Sequence, residues 1–203
     1  LRFVAKSKQT PTQVKKSFLR AVKIGILYDP RKPQYAEPLK SWLRGNTYGW
    51  DDLASADDFL RLVRYDLLIV VPELEVSPKG IRNISNFVEN GQCLLVVDKI
   101  ITPEQEMLAR TLGYHTMQYE PFKSSGGFLT IVNNQNLITR RFAVGGRIPL
   151  GSYWGNACTS ITSTGQILAV QVIRKERENV TITVPAITIN RHGKGKALHL
   201  NFH

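Results

Sequence analysis

"DLLIVVPELEVSPKGIRNISNFVENGQCLLVVD", residues 66–98, carries the fold in miniature. Leu67 to Val71 is apolar at every position, as in a strand covered on both faces by helices, and that arrangement implies a parallel sheet. Ser77 followed by Pro78 supplies an N-cap and a first-turn proline. Ile81, Ile84, Phe87 and Val88 recur at the helical period as one apolar stripe, and Gly91 ends it. Cys93 to Val97 then repeats the buried-strand pattern before Asp98. Strand, helix, strand with a right-handed crossover is the reading.

The same alternation extends in both directions. Upstream, Val22 to Tyr28 is a β-rich run closed by Asp29-Pro30, and "YAEPLKSWLRG" places Leu39, Trp42 and Leu43 at helical spacing before Gly45. "SADDFLRLVRYD" reads as a second helix, with Phe59, Leu60, Leu62 and Val63 apolar and acids in the first turn, where they favour the helix dipole. Downstream, Thr102-Pro103-Glu104-Gln105 has the form of a capping box with proline at the first helical position, and Gly113 is placed to stop that helix. Residues 22–113 thus form a βαβαβα series, which predicts a flavodoxin-like, doubly wound, mostly parallel α/β sheet.

From about Phe128 the helical period disappears. The runs "FLTIV", "QILAVQVI", "VTITVPAITI" and "KALHLNF" are separated by Gly, Asn and Ser clusters, predicting a β-rich C-terminal portion of antiparallel strands that extend the sheet or form a flap. "RKEREN" reads as a charged hairpin tip and Gly193-Lys194-Gly195 as a second hairpin turn. Two units follow: a basic leader over residues 1–21 and a single α/β domain over 22–203.

The net charge of +11 on 203 residues is unevenly spread. Residues 1–23 hold seven basic side chains and no acid, leaving 20 bases against 16 acids, or +4, for the other 180. A basic leader admits nucleic-acid binding as one expectation, but no interleaved aromatic platform or nucleic-acid motif accompanies it, so a solvated or juxtamembrane linker is the simpler reading. The longest apolar run is about half a dozen residues, far short of the roughly 20 that cross a bilayer. The chain opens on Leu1 without a leader peptide, as a fragment or processed product would. Cys93 and Cys158 fit no metal or redox spacing, and Cys93 is expected as a small buried hydrophobe. Asn83-Ile84-Ser85 and Asn179-Val180-Thr181 match the short glycosylation sequon.

In doubly wound sheets ligands bind outside the carboxyl ends of the strands. Those ends are Asp29, the Pro72-Glu73 step with Glu75 behind it, and Asp98-Lys99. Three acids there admit a divalent metal through oxygen ligands, or a set of turn-capping carboxylates, and the order of the strands decides between them. "GSYWGNA", residues 151–157, is expected as a loop in which Tyr153 and Trp154 form a stacking platform for a sugar or peptide. Gly126-Gly127 and Gly145-Gly146 are isolated pairs and not a phosphate cradle, so no cofactor is expected.

The segment 64–100, with "NLITRRF" and "PAITINRHGKGKALHLNF", resembles the class I glutamine amidotransferase-like superfamily in its non-catalytic branches. Similar domains occur in intraflagellar transport proteins, in an oligosaccharyltransferase subunit and as accessory modules of glycosidases. Active members of that superfamily carry a Gly-x-Cys-x-Gly elbow after this strand, because the turn must project a thiol toward oxyanion-stabilising N–H groups. Here the turn is Val96-Val97-Asp98-Lys99-Ile100, with no cysteine and no glycine. Cys93 comes too early, and His203 stands at about the place of the catalytic histidine. His199 and His203 are spaced about 13 Å apart on a strand, too far to share one metal easily. His115 and His192 are expected at the surface. The resemblance therefore implies a binding or assembly module of a larger protein, taking a protein, a carbohydrate or the rest of its own chain through Asp29, Glu73, Asp98, Lys99, Tyr153 and Trp154. A hydrolase using Asp98 with His203 or a metal is the alternative from another class.

Overall fold

The computed structural model describes residues 22–124, 127–150, 153–158, 164–175 and 180–202. The leader, His203, Asn179 and the tip of "RKEREN" lie outside the described residues.

Five strands form the parallel half of one sheet: β1 (Ile24–Leu27), β2 (Trp50–Leu53), β3 (Leu67–Val70), β5 (Cys93–Val97) and β13 (Gly195–Leu200). Their spatial order is β2-β1-β3-β5-β13, the flavodoxin-like order 2-1-3-4-5. Past β13 the sheet continues antiparallel through β12 (Val180–His192), β11 (Gln166–Lys175), β8 (Phe128–Ile131) and β9 (Arg147–Pro149). The β-rich half therefore extends the sheet, making it mixed. Two short ribbons stand apart: β4 (Leu74–Glu75) with β6 (Ile100–Ile101), and β7 (Tyr119–Ser124) with β10 (Tyr153–Cys158).

Alternation along the central strands explains the layers. Leu68 and Val70 join one large core beneath α3 (Pro78–Glu89) and α4 (Gln105–Leu112), while Ile69 and Val71 join a second on the face covered by α1 (Glu37–Gly45). Ile81, Ile84, Phe87 and Val88 are buried as their stripe requires, and the Ser77 hydroxyl caps α3 by accepting from Gly80 N at 2.9 Å. A third core of Leu129, Ile131, Leu168, Ala169, Ala186 and Ile187 holds the antiparallel half.

Several local expectations need correction. The helix α2 (Phe59–Leu62) is a single turn capped by Asp58, with Leu60 exposed. Helix α4 starts at Gln105 rather than Pro103: the Thr102 hydroxyl accepts from Glu104 N at 3.2 Å and Gln105 Nε2 donates back to Thr102 O at 3.0 Å, so the cap motif forms a turn ahead of the helix. Trp42 is 59% exposed and stacks on Tyr48, because it flanks the buried face of α1 instead of lying on it. Cys93 is exposed, since it opens β5 at the sheet's rim. "YWGNAC" is a strand, not a loop. Strand β2 was not anticipated: "WDDL" is polar because it is an edge strand, and only Leu53 is buried. Asn83 is buried and donates to Ala56 O at 2.8 Å, so its amide is committed to tying α3 to the segment before α2 rather than displayed for a glycan.

The Gly193-Lys194-Gly195 turn does join two antiparallel strands, β12 and β13. Its glycines are also set by packing: a Cβ at Gly195 would lie 2.2 Å from both Val88 O and Gln92 O, at the end of α3. We expect Gly195→Ala to lower stability by about 1–3 kcal/mol through this overpacking. A urea unfolding midpoint equal to that of the parent chain would refute it.

Candidate functional site: the crevice at the carboxyl ends of the parallel strands

Strands β1, β3 and β5 are consecutive neighbours, so Asp29, Glu73 and Asp98 do emerge side by side at one end of the sheet. Their chemistry diverges at once. The Asp29 carboxylate is clamped by Arg31, through the backbone N–H at 2.9 Å and a two-pronged guanidinium contact at 3.0 and 2.9 Å. Hydrogen bonds from Arg31 hold this carboxyl below the ordinary aspartate value, and the guanidinium is raised in turn. Asp98 is only 2% exposed and points into the fold. Among the described residues no group of three His, Cys, Asp or Glu is placed to hold a metal ion.

The two turns after β3 and β5 share an uncommon backbone. Glu73 has φ +61° and Asp98 φ +55°, both in the left-handed region that costs an L-residue roughly 1–2 kcal/mol. What holds them there is each other. Glu73 N donates to Lys99 O at 3.1 Å, Val76 N donates to Ile101 O at 2.8 Å, and the β4–β6 ribbon pairs Leu74 with Ile100 and Glu75 with Ile101. Two exit loops are thereby laced into one rim. Half-buried Glu73, exposed Glu75 and half-buried Lys99, whose ammonium lies 5.8 Å from the Tyr119 ring centroid, are the polar groups this rim carries.

Beneath Asp98 lies a group that sequence reasoning passed over. His199 is completely buried in β13, with Nε2 3.1 Å from the Asp98 carbonyl and Nδ1 2.8 Å from the Tyr114 hydroxyl. A carbonyl only accepts, so Nε2 carries the proton and Nδ1 is the acceptor. Tyr114 must then donate to Nδ1, leaving its oxygen to accept from the Thr188 hydroxyl 3.0 Å away. The chain runs Thr188 to Tyr114 to His199 to the Asp98 carbonyl, with both imidazole nitrogens occupied. Burial depresses the imidazole to about 4, outweighing the Asp98 carbonyl that favours the charged form. The signal was in "ALHLN": Ala197, His199 and Asn201 alternate onto one buried face, and a polar side chain there must find partners.

At the β2 edge of the crevice a second buried polar cluster appears. Lys40 is buried on α1, 2.9 Å from Asp52 Oδ2 and 3.9 Å from the Tyr28 ring centroid. Burial works against its charge, but hydrogen bonding to Asp52 and Tyr28 outweighs this and holds the ammonium above its ordinary value. The Tyr28 hydroxyl donates to the same carboxylate, and the Tyr65 hydroxyl donates to Asp51, both at 3.1 Å. These contacts fasten the polar edge strand.

The structure thus gathers Asp29, Glu73, Asp98 and Lys99 at one end of the sheet, with Asp98 below the surface. Tyr153 and Trp154 stand on β10, paired through their backbones with Ser124 and Lys123. His203 lies outside the described residues. His115 is exposed as expected, whereas His192 is half-buried between Glu89 and Ser85, each 3.0 Å from Nε2, because it ends β12 beside α3.

Neither a protein-family model nor a curated protein matches this chain. Solved structures do. A ThuA-like protein from Bacteroides uniformis has a TM-score of 0.65 at 11% identity, covering 90% of this chain and 82% of that one. A second ThuA-like protein, from Parabacteroides merdae, gives 0.63 at 11% identity, with 90% and 79% covered. A β-galactosidase from Rahnella sp. R3 gives 0.64 at 18% identity over 90% of this chain but 29% of its own length. This chain therefore spans under a third of that β-galactosidase and most of the ThuA-like proteins. Its fold is the class I glutamine amidotransferase-like, flavodoxin-like α/β fold that the ThuA-like proteins have.

Two outcomes follow from the geometry. His199 titrates near 6.5 in an unfolded chain and near 4 in the fold, so below about pH 6.5 the unfolded state binds a proton that the folded state refuses. Stability is then complete above pH 6.5 and declines as pH falls toward 4, by about 3 kcal/mol in total. The measurement is the urea midpoint against pH for the parent and His199→Gln, the variant lacking this component, with the imidazole proton followed by NMR in the parent; an imidazole titrating near 6.5 in the folded protein contradicts the assignment. Glu73→Gly should leave stability unchanged or raise it by up to about 1 kcal/mol, whereas β-branched Glu73→Val should lower it by more than about 1 kcal/mol. Equal thermal midpoints for the two variants would show that the left-handed backbone carries no cost.

Proposed function

We propose that this chain is a non-enzymatic binding or assembly module of a larger protein, engaging a protein or carbohydrate through the crevice rim. The observation that carries the reading is the occupant of the elbow after β5. That turn has the left-handed backbone of a strained turn, but its side chain is a buried carboxylate and its carbonyl is bonded to a neutral imidazole. Both imidazole nitrogens are engaged, so this base has no free lone pair to take a proton, and the elbow carries no thiol or hydroxyl nucleophile to form an acyl intermediate. Asp29, held ionised by Arg31, and the rim groups Glu73 and Lys99 offer polar contacts around the crevice. Tyr153 and Trp154 on the β7–β10 ribbon complete the proposed contact set. The similarity to part of a β-galactosidase supports placement within a longer chain.

The test is a turnover screen paired with a binding screen on the purified chain. Glutamine, ester, amide and nitrophenyl glycoside substrates are expected to remain intact, while immobilised glycans or cross-linked protein partners are retained. Retention should fall about tenfold or more in Lys99→Ala combined with Glu73→Gln. Hydrolytic turnover abolished by Asp98→Asn would replace this reading with the hydrolase alternative.

A further inference from the structure

The end of the sheet opposite the crevice has a different character. Strand β8 runs toward this end, antiparallel to β11, and the chain between Ile131 and Arg147 is a compact loop. Its ends are drawn together by Ile131 N donating to Gly146 O and Gly145 N donating to Ile131 O, at 2.9 and 2.8 Å. The buried Thr139 hydroxyl donates to Asn133 O at 2.6 Å, and Asn133 and Asn136 side chains accept from the N–H groups of Gln135 and Ile138. So braced, the loop still turns its apolar side chains outward: Leu137 is 74% exposed and Val144 60%, with Val132, Ile138 and Phe142 beside them. Exposed Arg140 and Arg141 sit between these residues. From Pro121 to Lys175 the sequence holds six basic residues and no Asp or Glu.

Next to this loop is a cavity of about 240 Å³ whose wall includes Asn136, Thr164, Gln166, Arg191 and Lys196, and no carboxylate. Arg191 and Lys196 are direct cross-strand partners on β12 and β13, a like-charge pairing that destabilises a sheet unless an anion lies between the two. Neither is in an ion pair among the described residues. Exposed Lys194 lies at the hairpin tip on the same end, where exposed Lys23 precedes β1. The acids of this end are engaged: Asp66 accepts from Lys23 N at 3.0 Å, and Glu89 meets His192.

We infer that this end docks on an anionic phospholipid surface, the β8–β9 loop placing Leu137, Ile138, Phe142 and Val144 in the interface while the Arg191–Lys196 cavity takes a headgroup phosphate. Bulky aliphatic side chains interleaved with arginines, in a segment without Asp or Glu from Pro121 to Lys175, match the two requirements of peripheral membrane binding, apolar insertion and attraction to a negative leaflet. A nucleic acid would satisfy the cations and leave Leu137 and Val144 in water. The inference is independent of the crevice, which lies at the other end of the strands.

The experiment is co-sedimentation of the 203-residue chain with phosphatidylcholine vesicles, with and without about one-third phosphatidylserine. Binding is expected only to the anionic vesicles and should weaken steeply with added salt. Leu137→Glu with Val144→Glu should reduce it at least tenfold, and Arg191→Gln with Lys196→Gln roughly 25-fold, at about fivefold per charge. All four side chains are exposed, and unchanged thermal midpoints would confirm that the variants fold. Absence of phosphatidylserine-dependent sedimentation overturns the inference, as does binding indifferent to both double variants. Thermal protection by inorganic phosphate, polyglutamate or duplex DNA without vesicle binding would identify a soluble anion or polyanion as the occupant and equally overturn it.

Discussion

Strand β13 must satisfy two different partners at once. On one side it runs parallel to β5, with Ala197 opposite Leu94 and His199 opposite Val96; on the other it runs antiparallel to β12. Every later strand of the sheet hangs from this seam. The seam is tight at both ends, because Gly195 slides under the backbone of α3 where no Cβ fits, and Asn201 closes the far end. The Asn201 backbone N–H donates to Ala186 O and its side chain donates to Pro185 O, while its own carbonyl accepts from Gln171. A strand so fixed can carry a fully buried imidazole, and that imidazole props the elbow above it.

The elbow and the rim follow from this arrangement. Asp98 N bonds to Leu200 O at 2.6 Å, and the Asp98 carbonyl receives His199, so the turn after β5 is gripped by β13 on both its donor and its acceptor. Held there, the chain can reach the β3 exit only through the short β4–β6 ribbon, and Glu73 takes the matching left-handed backbone. The strain at two residues is local; the hydrogen bonds that impose it come from three separate parts of the chain. A turn of this form would suit a nucleophile, yet in this chain its fixed parts are spent on structure. The polar groups left at the surface there are clamped Asp29, Glu73 and Lys99.

Much of the parallel half was legible along the chain. Continuous apolar runs marked β3 and β5, Ser77-Pro78 marked the start of α3, and Gly113, with φ +86°, marked the end of α4. The edge strand β2 was not legible, because an edge strand buries so little that Asp51 and Asp52 can fill its middle, and the Lys40 and Tyr65 contacts that justify those acids come from elsewhere in the fold. Trp42 and Cys93 were misjudged for a related reason. Hydrophobicity gives a preference for burial, but a position on the flank of a helix or the first residue of a strand leaves that preference unmet.

The sequence by itself determined the strand–helix alternation of residues 66–98 and the absence of a thiol at the elbow, because periodicity, capping residues and residue identity are local properties. Only the tertiary structure decided what the polar residues do. Asp98 is buried rather than displayed, and His199 is neutral because the fold buries it completely, its two nitrogens engaged by Tyr114, 85 positions away, and Asp98, 101 positions away. A charge state depends on depth and on partners brought together from distant parts of the chain, and no local pattern encodes either. The same holds for the opposite end of the sheet, where Asn136 of a loop and Arg191 and Lys196 of a hairpin, far apart in the sequence, line one cavity.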